Sequence, residues 1–248
     1  MATANPAMSE AVYLRAGRAE SATNVMTLQG SVIKTAVLLV ILLAAATYTW
    51  SQAAAGATST AYGLLALGGI GGFLVAMLTI FRPQSSLITA PIYAGLEGLV
   101  LGAISAVFET SYPGIVIQAF GLTIGVLAIM LMLYGTGLVR ATEKFKIGII
   151  AATGAIGLVY LVDIVASFFG RHLPYIHENG VVGIGFSLVV VVIAALNLVL
   201  DFDFIEQGVK QQAPKYMEWY GGFSLLVTLV WMYLEILRLL AKLQSRRD

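Results

Sequence analysis

Seven long apolar runs constrain this sequence more than any other feature. They cover residues 32–50, 61–81, 88–108, 115–138, 147–169, 181–200 and 221–240. A helix that crosses a bilayer needs roughly 20 mostly apolar residues, whereas a barrel strand needs only about 9–11 residues of alternating polarity. Only 11% of the residues are charged, against about 25% in a typical soluble domain. The sequence therefore predicts an all-α integral membrane protein with seven transmembrane helices.

Three regions follow from these runs. Residues 1–30 form a polar tail, which we interpret as a short interfacial helix starting near Pro6 or, alternatively, as a partly disordered segment. Residues 31–243 form the transmembrane domain, and residues 244–248 form a basic carboxyl-terminal tail. Residues 1–30 lack the pattern of a secretory signal, because their charged residues precede an apolar run that is long enough to span the membrane. Residues 201–220 make the longest predicted connection.

Lysine and arginine indicate the orientation, because cytoplasmic loops are enriched in them. With the amino terminus in the cytoplasm, the inner segments hold nine such residues and the outer loops hold Arg171 alone. The four basic residues after residue 237 contradict this pattern, because seven crossings would place them outside. Either the earlier spans dictate the topology, which we favour, or the last run does not cross fully.

Several functional classes are excluded or disfavoured. A net charge of +1 and the lack of a basic cluster argue against nucleic-acid binding, and the absence of cysteine excludes disulfides and thiolate metal sites. Motifs for zinc hydrolases, serine hydrolases and phosphate-binding loops are also missing. Asp163 and Asp201 are predicted near opposite membrane faces, which disfavours an aspartyl protease. We therefore expect no enzyme and no cofactor.

Glycines cluster inside the predicted spans. Gly98 with Gly102, and Gly121 with Gly125, have the four-residue spacing that allows helices to approach closely. A glycine group in the second span, Gly68, Gly69, Gly71 and Gly72, fits the same interpretation. Tight helix packing is the interpretation that we favour, and a hinge for gating is the alternative.

Charged residues inside spans are functional candidates, because burying them in a bilayer costs several kcal/mol. Glu97 lies near the middle of the third span, and Asp201 and Asp203 lie at the inner end of the sixth. Asp201 follows Asn197 by four residues, so the two share a helix face, and we interpret this face as turned inward. Asp203 then belongs to the solvated end with Glu206 and Lys210. The opposite rotation is the alternative.

The seventh span carries a polar stripe. Its members recur at spacings of three and four residues: Ser224, Thr228, Trp231, Glu235, Arg238 and Lys242. Such a face indicates a helix that is enclosed by the others beside a hydrated pathway. The alternative is a Glu235–Arg238 pair that only neutralises itself.

Two further groups have structural interpretations. Asp163 lies near the outer end of its span, where it could reach water by snorkelling or pair with Arg171. His172, His177 and Glu178 share an outer loop. They suggest a metal site only weakly, and ordinary loop histidines explain them better.

Three segments resemble the transmembrane Bax-inhibitor-motif family (Bax inhibitor-1-like), in its bacterial branch. They are YAGLEGLVLG at 93–102, LDFDFIE at 200–206, and residues 225–240 ending in EILRLL. The resemblance covers all seven spans in order. It implies that six helices wrap a central last helix, and that the protein forms a pH-sensitive calcium leak in the bacterial inner membrane.

The resemblance also implies a pair of aspartates that senses pH, one at the end of helix six and one in helix seven. The first corresponds to Asp201 or Asp203, which could also bind a passing cation. At the second position this chain has Thr228, and Glu235 lies two turns further along the same face. This departure matters because two acids that share a proton must be close together.

The resulting hypothesis is a calcium or other cation leak that is gated by protonation of buried carboxylates. Its residues are Asp201, Asp203, Glu235, Arg238, Glu97 and Thr228. The expected partners are the bilayer and the cation, and the chain is compatible with a monomer. The alternatives are a proton-coupled secondary transporter and a non-conducting regulator that binds a membrane protease or another membrane protein.

Overall fold

A computed structural model describes residues 24–170 and 180–246, and nearly all of this part is helical. No β-strand occurs within these ranges. The helices are α1 (Leu28–Ala54), α2 (Thr58–Phe81), α3 (Ser86–Ser111), α4 (Ile115–Gly135), α5 (Glu143–Phe168), α6 (Val181–Lys210) and α7 (Met217–Ser245). The first 23 residues of the predicted tail and the loop with Arg171, His172, His177 and Glu178 lie outside the described residues.

All seven predicted spans are confirmed as helices that are long and apolar enough to cross a membrane. The predicted connection at 201–220 is wrong in extent, because α6 continues to Lys210 and only residues 211–216 join it to α7. An ion pair between Glu206 and Lys210 supports this extra part of the helix. The fourth span was predicted three residues too long. It ends at Gly135, just before Gly137 takes a positive φ of 72°.

The last helix is the most buried. In α7, 67% of the most apolar segment is buried inside the protein, against 17–44% in the other six helices. Other parts of the protein therefore cover most of this segment of α7.

The described chain divides into two compact units. The first contains the residues up to Ser111 together with Asp201–Val227, and the second contains Tyr112–Leu200 together with the residues from Thr228 onward. Helices α6 and α7 each contribute to both units. The packing of each unit is described below by itself.

In the first unit, glycines bring helices α1, α2 and α3 close together. A Cβ atom at Gly98 would collide with the backbone carbonyl of Leu42, and one at Gly102 with the carbonyl of Ala46. A Cβ at Gly68 would meet the carbonyl of Leu96 in the same way. The prediction of tight packing is confirmed for these glycines, because only a missing side chain permits these backbone contacts.

The same prediction is wrong for the second pair. In the part of the chain that the structure describes, nothing lies within 4 Å of a Cβ built at Gly121 or at Gly125. On α4, Gly121 is exposed and Gly125 is half-buried. The four-residue spacing is present there, but no described residue approaches α4 closely at either glycine.

A clasp of backbone hydrogen bonds ties the segment before α1 to the connection between α6 and α7. The amide of Met26 donates to the carbonyl of Ala213 at 2.7 Å, and the amide of Lys215 donates to the carbonyl of Asn24 at 2.8 Å. The Ser86 hydroxyl at the start of α3 donates to the carbonyl of Tyr216 at 2.9 Å. The amino ends of α1, α3 and α7 therefore lie at the same membrane face, which we term the amino-terminal face.

This shared face agrees with the predicted number of crossings. Six helices separate the start of α1 from the start of α7, and an even number of crossings returns the chain to the side where it began. Helix α7 has 29 residues and is about 44 Å long, whereas the hydrocarbon core measures about 30 Å. The length of α7 therefore supports a full crossing.

Candidate functional site

Glu235 forms the centre of a charged cluster in the second unit. Its side chain is 2% exposed, and its Oε1 atom accepts hydrogen bonds from the Tyr160 hydroxyl at 2.8 Å and from Arg238 Nη1 at 2.9 Å. Arg238 Nη1 also donates to the Tyr160 oxygen at 2.8 Å. The three groups close a triangle in which each one contacts the other two.

Local helix geometry explains half of this triangle. Glu235 and Arg238 are three residues apart, so they lie on one face of α7. Tyr160 comes from α5, and the Arg238 guanidinium carbon lies 5.3 Å from the centre of its ring. The predicted Glu235–Arg238 pair is therefore present, and Tyr160 from another helix contacts both of its members.

Three further members of the stripe on α7 are enclosed as predicted, whereas Trp231 is half-buried. Ser224 and Thr228 are buried, and Lys242 is 5% exposed. Lys242 Nζ donates to the Gly183 carbonyl at 3.0 Å and to Ser187 Oγ at 2.9 Å, both on α6. Lys242 therefore belongs to the folded bundle. It is one of the four basic residues after residue 237 that contradict the predicted orientation. Its ammonium group forms hydrogen bonds with α6 and does not lie in a free tail.

Asp201 lies on the inward face of α6, as the helical phase predicts. Its side chain is 1% exposed, and Asn197, one turn earlier, is also buried. Asn197 donates to Thr153 Oγ1 of α5 at 2.8 Å. Asp203 is only half-buried, and Glu206 and Lys210 pair with each other on the more exposed side. The alternative rotation of this helix end is therefore wrong.

Glu97 occupies the middle of α3 in the first unit and is half-buried. Its Oε2 atom faces Gly72 of α2, 3.4 Å from the position that a Cβ would take. Its carboxylate also interacts with the Tyr93 hydroxyl, and the Tyr93 ring packs edge-on against Phe223 at a centroid distance of 4.9 Å. A small residue at 72 leaves room for the carboxylate between the helices.

Asp163 is buried at 9% exposure. The suggestion that it snorkels to water is therefore wrong, because its helix position turns it toward protein. Its proposed partner Arg171 falls outside the described residues. No group of three or more acidic or histidine residues forms a metal site within residues 24–170 and 180–246.

Sequence reasoning missed Glu218, which completes the clasp. This carboxylate is 1% exposed, and its Oε1 accepts hydrogen bonds from the Thr27 amide at 3.0 Å and the Thr27 hydroxyl at 2.9 Å. Its carboxylate also fills the space that a side chain at Gly30 would need. Nearby, burial raises the pKa of Tyr216. A negative charge at the amino end of α1 is stabilised by the helix dipole.

A family model described as Bax inhibitor 1 like matches residues 5–245. The chain belongs to this family. No curated protein and no solved structure matches it. The match covers all seven helices, so the Bax inhibitor 1-like assignment applies to the complete transmembrane domain and to both units.

Proposed function

We propose that this Bax inhibitor 1-like protein is a pH-sensitive leak pathway for calcium or another cation. The observation that carries the proposal is the burial of two carboxylates, Asp201 and Glu235, within membrane-spanning helices. Buried charges are costly in a membrane protein, and apolar residues of similar volume would stabilise a purely structural helix at least as well. Acids retained at such positions therefore favour a role in ion passage or proton sensing.

The two carboxylates have different surroundings, which suggests different roles. Arg238 contacts Glu235, and Lys242 lies two turns further along the polar stripe, so this part of α7 would repel a cation. Asp201 and the half-buried Asp203 present carboxylate oxygens, which hard cations such as calcium prefer. We assign cation attraction to Asp201, Asp203 and, near the middle of α3, Glu97.

We assign proton sensing to Glu235. Its Oε2 atom is buried and has no hydrogen-bond partner among the described residues, so it is a place where a proton can bind. Protonation would cancel the charge that balances Arg238. Because Arg238 is partly exposed, it could then leave the triangle and free Tyr160. Because Thr228 stands at the position where the resemblance implies an acid, Glu235 is the one acid in the polar stripe of this helix.

Proteoliposomes with an internal calcium indicator test the proposal. We expect flux that changes between pH 5 and 8, and that falls in the double variant Asp201→Asn with Asp203→Asn. Glu235→Gln mimics the protonated acid, so its flux should depend less on pH. Glu143→Gln is the matched control, because Glu143 is exposed and forms a long ion pair with Lys146 in the next turn. Absence of flux from wild-type protein across this range would refute a leak.

The other functions remain outcomes of the same experiment. Uptake against a gradient would indicate a secondary transporter instead, and silent proteoliposomes with stable co-purification of a membrane protease or another membrane complex would indicate a regulator. We further propose that the chain acts without catalysis. We also propose that it lies in a bacterial inner membrane with its amino terminus in the cytoplasm.

A further inference from the structure

A cavity of about 440 Å³ lies in the first unit, between the last turn of α1, the first turns of α2 and the last turns of α3. These helix ends lie opposite the amino-terminal face, because each helix crosses once. None of the proposed pathway residues lines this cavity. It therefore needs an explanation of its own.

The polarity of the lining changes with depth. The lining residues furthest from the helix ends, Leu65, Ala103 and Ile104, are apolar, and Ala103 is buried at the cavity wall. The polar lining groups are Thr58, Glu109 and Thr110, and all of them lie at helix ends. Ala103 and Thr110 are seven residues apart on α3, so the cavity extends about 10 Å along the helix axis.

Aromatic side chains mark the same level as the membrane interface. Trp50 and Tyr62 line the cavity near the helix ends, and Tyr62 is 63% exposed. Tryptophan and tyrosine concentrate at the boundary between headgroups and acyl chains. The cavity therefore has polar residues at this boundary and apolar residues further inside. This arrangement matches a single lipid, whose headgroup would lie at the boundary and whose acyl chain would lie inside.

We propose that this cavity binds one phospholipid with an ammonium headgroup, such as phosphatidylethanolamine. The acyl chain occupies the apolar interior around Leu65, Ala103 and Ile104, and the half-buried Glu109 carboxylate accepts a hydrogen bond from the ammonium group. The same carboxylate repels the phosphate of an anionic phospholipid whose headgroup carries no positive charge, such as phosphatidylglycerol. Phosphatidylcholine binds less well than phosphatidylethanolamine, because its quaternary nitrogen has no N–H group to donate.

Trp50 provides a probe inside the site. The chain has three tryptophans, so the double variant Trp219→Phe with Trp231→Phe leaves Trp50 alone. In vesicles with brominated acyl chains, phosphatidylethanolamine should quench Trp50 at about fivefold lower mole fraction than phosphatidylglycerol does, as expected for one partly exposed charge interaction. In a Glu109→Gln background this ratio should fall to about one, and Glu143→Gln should leave it unchanged.

A second measurement uses the wild-type tryptophans, in case the double variant folds poorly. Protein is purified in mild detergent from membranes that contain both lipids, and its retained lipids are quantified. Wild-type protein should be enriched in phosphatidylethanolamine, and both Glu109→Gln and the cavity-filling Ala103→Phe should lose this enrichment. Equal retention of the two lipids, a preference for phosphatidylglycerol, or a preference that survives Glu109→Gln would overturn the proposal.

Discussion

The Glu235–Arg238 pair responds differently to the loss of one partner and to the loss of both, because Glu235 is enclosed while Arg238 is partly exposed. Arg238→Met would leave a buried carboxylate without its counter-charge, which costs about 3 kcal/mol of unfolding free energy. Adding Glu235→Gln should recover at least about 1 kcal/mol of that loss. Unfolding in mixed detergent micelles measures the four corners of this cycle, and additive effects would contradict the coupling.

Glu218 joins the start of α7 to the start of α1, so its loss should lower the stability of the fold. Glu218→Ala removes the acceptor of the Thr27 amide and hydroxyl, so we expect a loss of about 1–3 kcal/mol in the unfolding free energy. Glu218→Gln keeps an oxygen acceptor at the same position and should lose much less. Thermal unfolding of the purified protein compares the two, and equal effects would mean that the charge rather than the hydrogen bond matters.

Single residues show where sequence reasoning stops. The helical phase alone predicted that Asp201 is buried and that Asp203 is more exposed, because both lie in one regular helix. It could not find Tyr160 or the role of Glu218, whose partners lie 75 and 191 residues away along the chain. Such contacts depend on which helices pack together, and no local pattern encodes that.

Helix α3 owes its close contact with α1 to glycine, so a methyl group there should separate the two helices. Gly102→Ala would place a Cβ against the Ala46 carbonyl and should cost about 1–3 kcal/mol through overpacking. Gly125→Ala, at a glycine of the same spacing on α4, has open space around it and should be neutral or slightly stabilising. Unfolding of both variants under identical conditions distinguishes them, and equal losses would contradict the packing seen in α3.

These two glycine pairs are indistinguishable in sequence. Both have four-residue spacing inside an apolar helix, yet only Gly98 and Gly102 meet another backbone. The spacing indicates that a helix can approach a neighbour closely, whereas the packing of the other helices decides whether a neighbour is there.

The ends of helices show the same limit of sequence reasoning. The apolar run stops at Leu200, but α6 continues for ten further residues, because the helix does not need a membrane around it to persist.

For the whole molecule, hydropathy was enough to predict seven crossings, but it left the last helix in doubt because of the basic residues that follow it. The clasp between Asn24–Thr27 and Ala213–Glu218 adds what hydropathy lacked, a direct contact between the starts of α1 and α7. This contact fixes both starts at one face. A full crossing by α7 then requires residues 24 and 246 to face opposite compartments.

Cysteine labelling tests this topology directly, because the chain has no cysteine of its own and the unmodified protein is a blank control. The single variants Arg82→Cys and Lys215→Cys replace exposed residues at the amino-terminal face, and Ala55→Cys lies in the exposed turn at the opposite face. A membrane-impermeant maleimide added to one side of sealed vesicles should label the first two together and Ala55→Cys only from the other side. Arg246→Cys should behave like Ala55→Cys, since α7 is long enough to carry the chain across. If Arg246→Cys instead reacts together with Lys215→Cys, the last helix does not cross, and Arg238 and Lys242 return to the face that the basic residues favour.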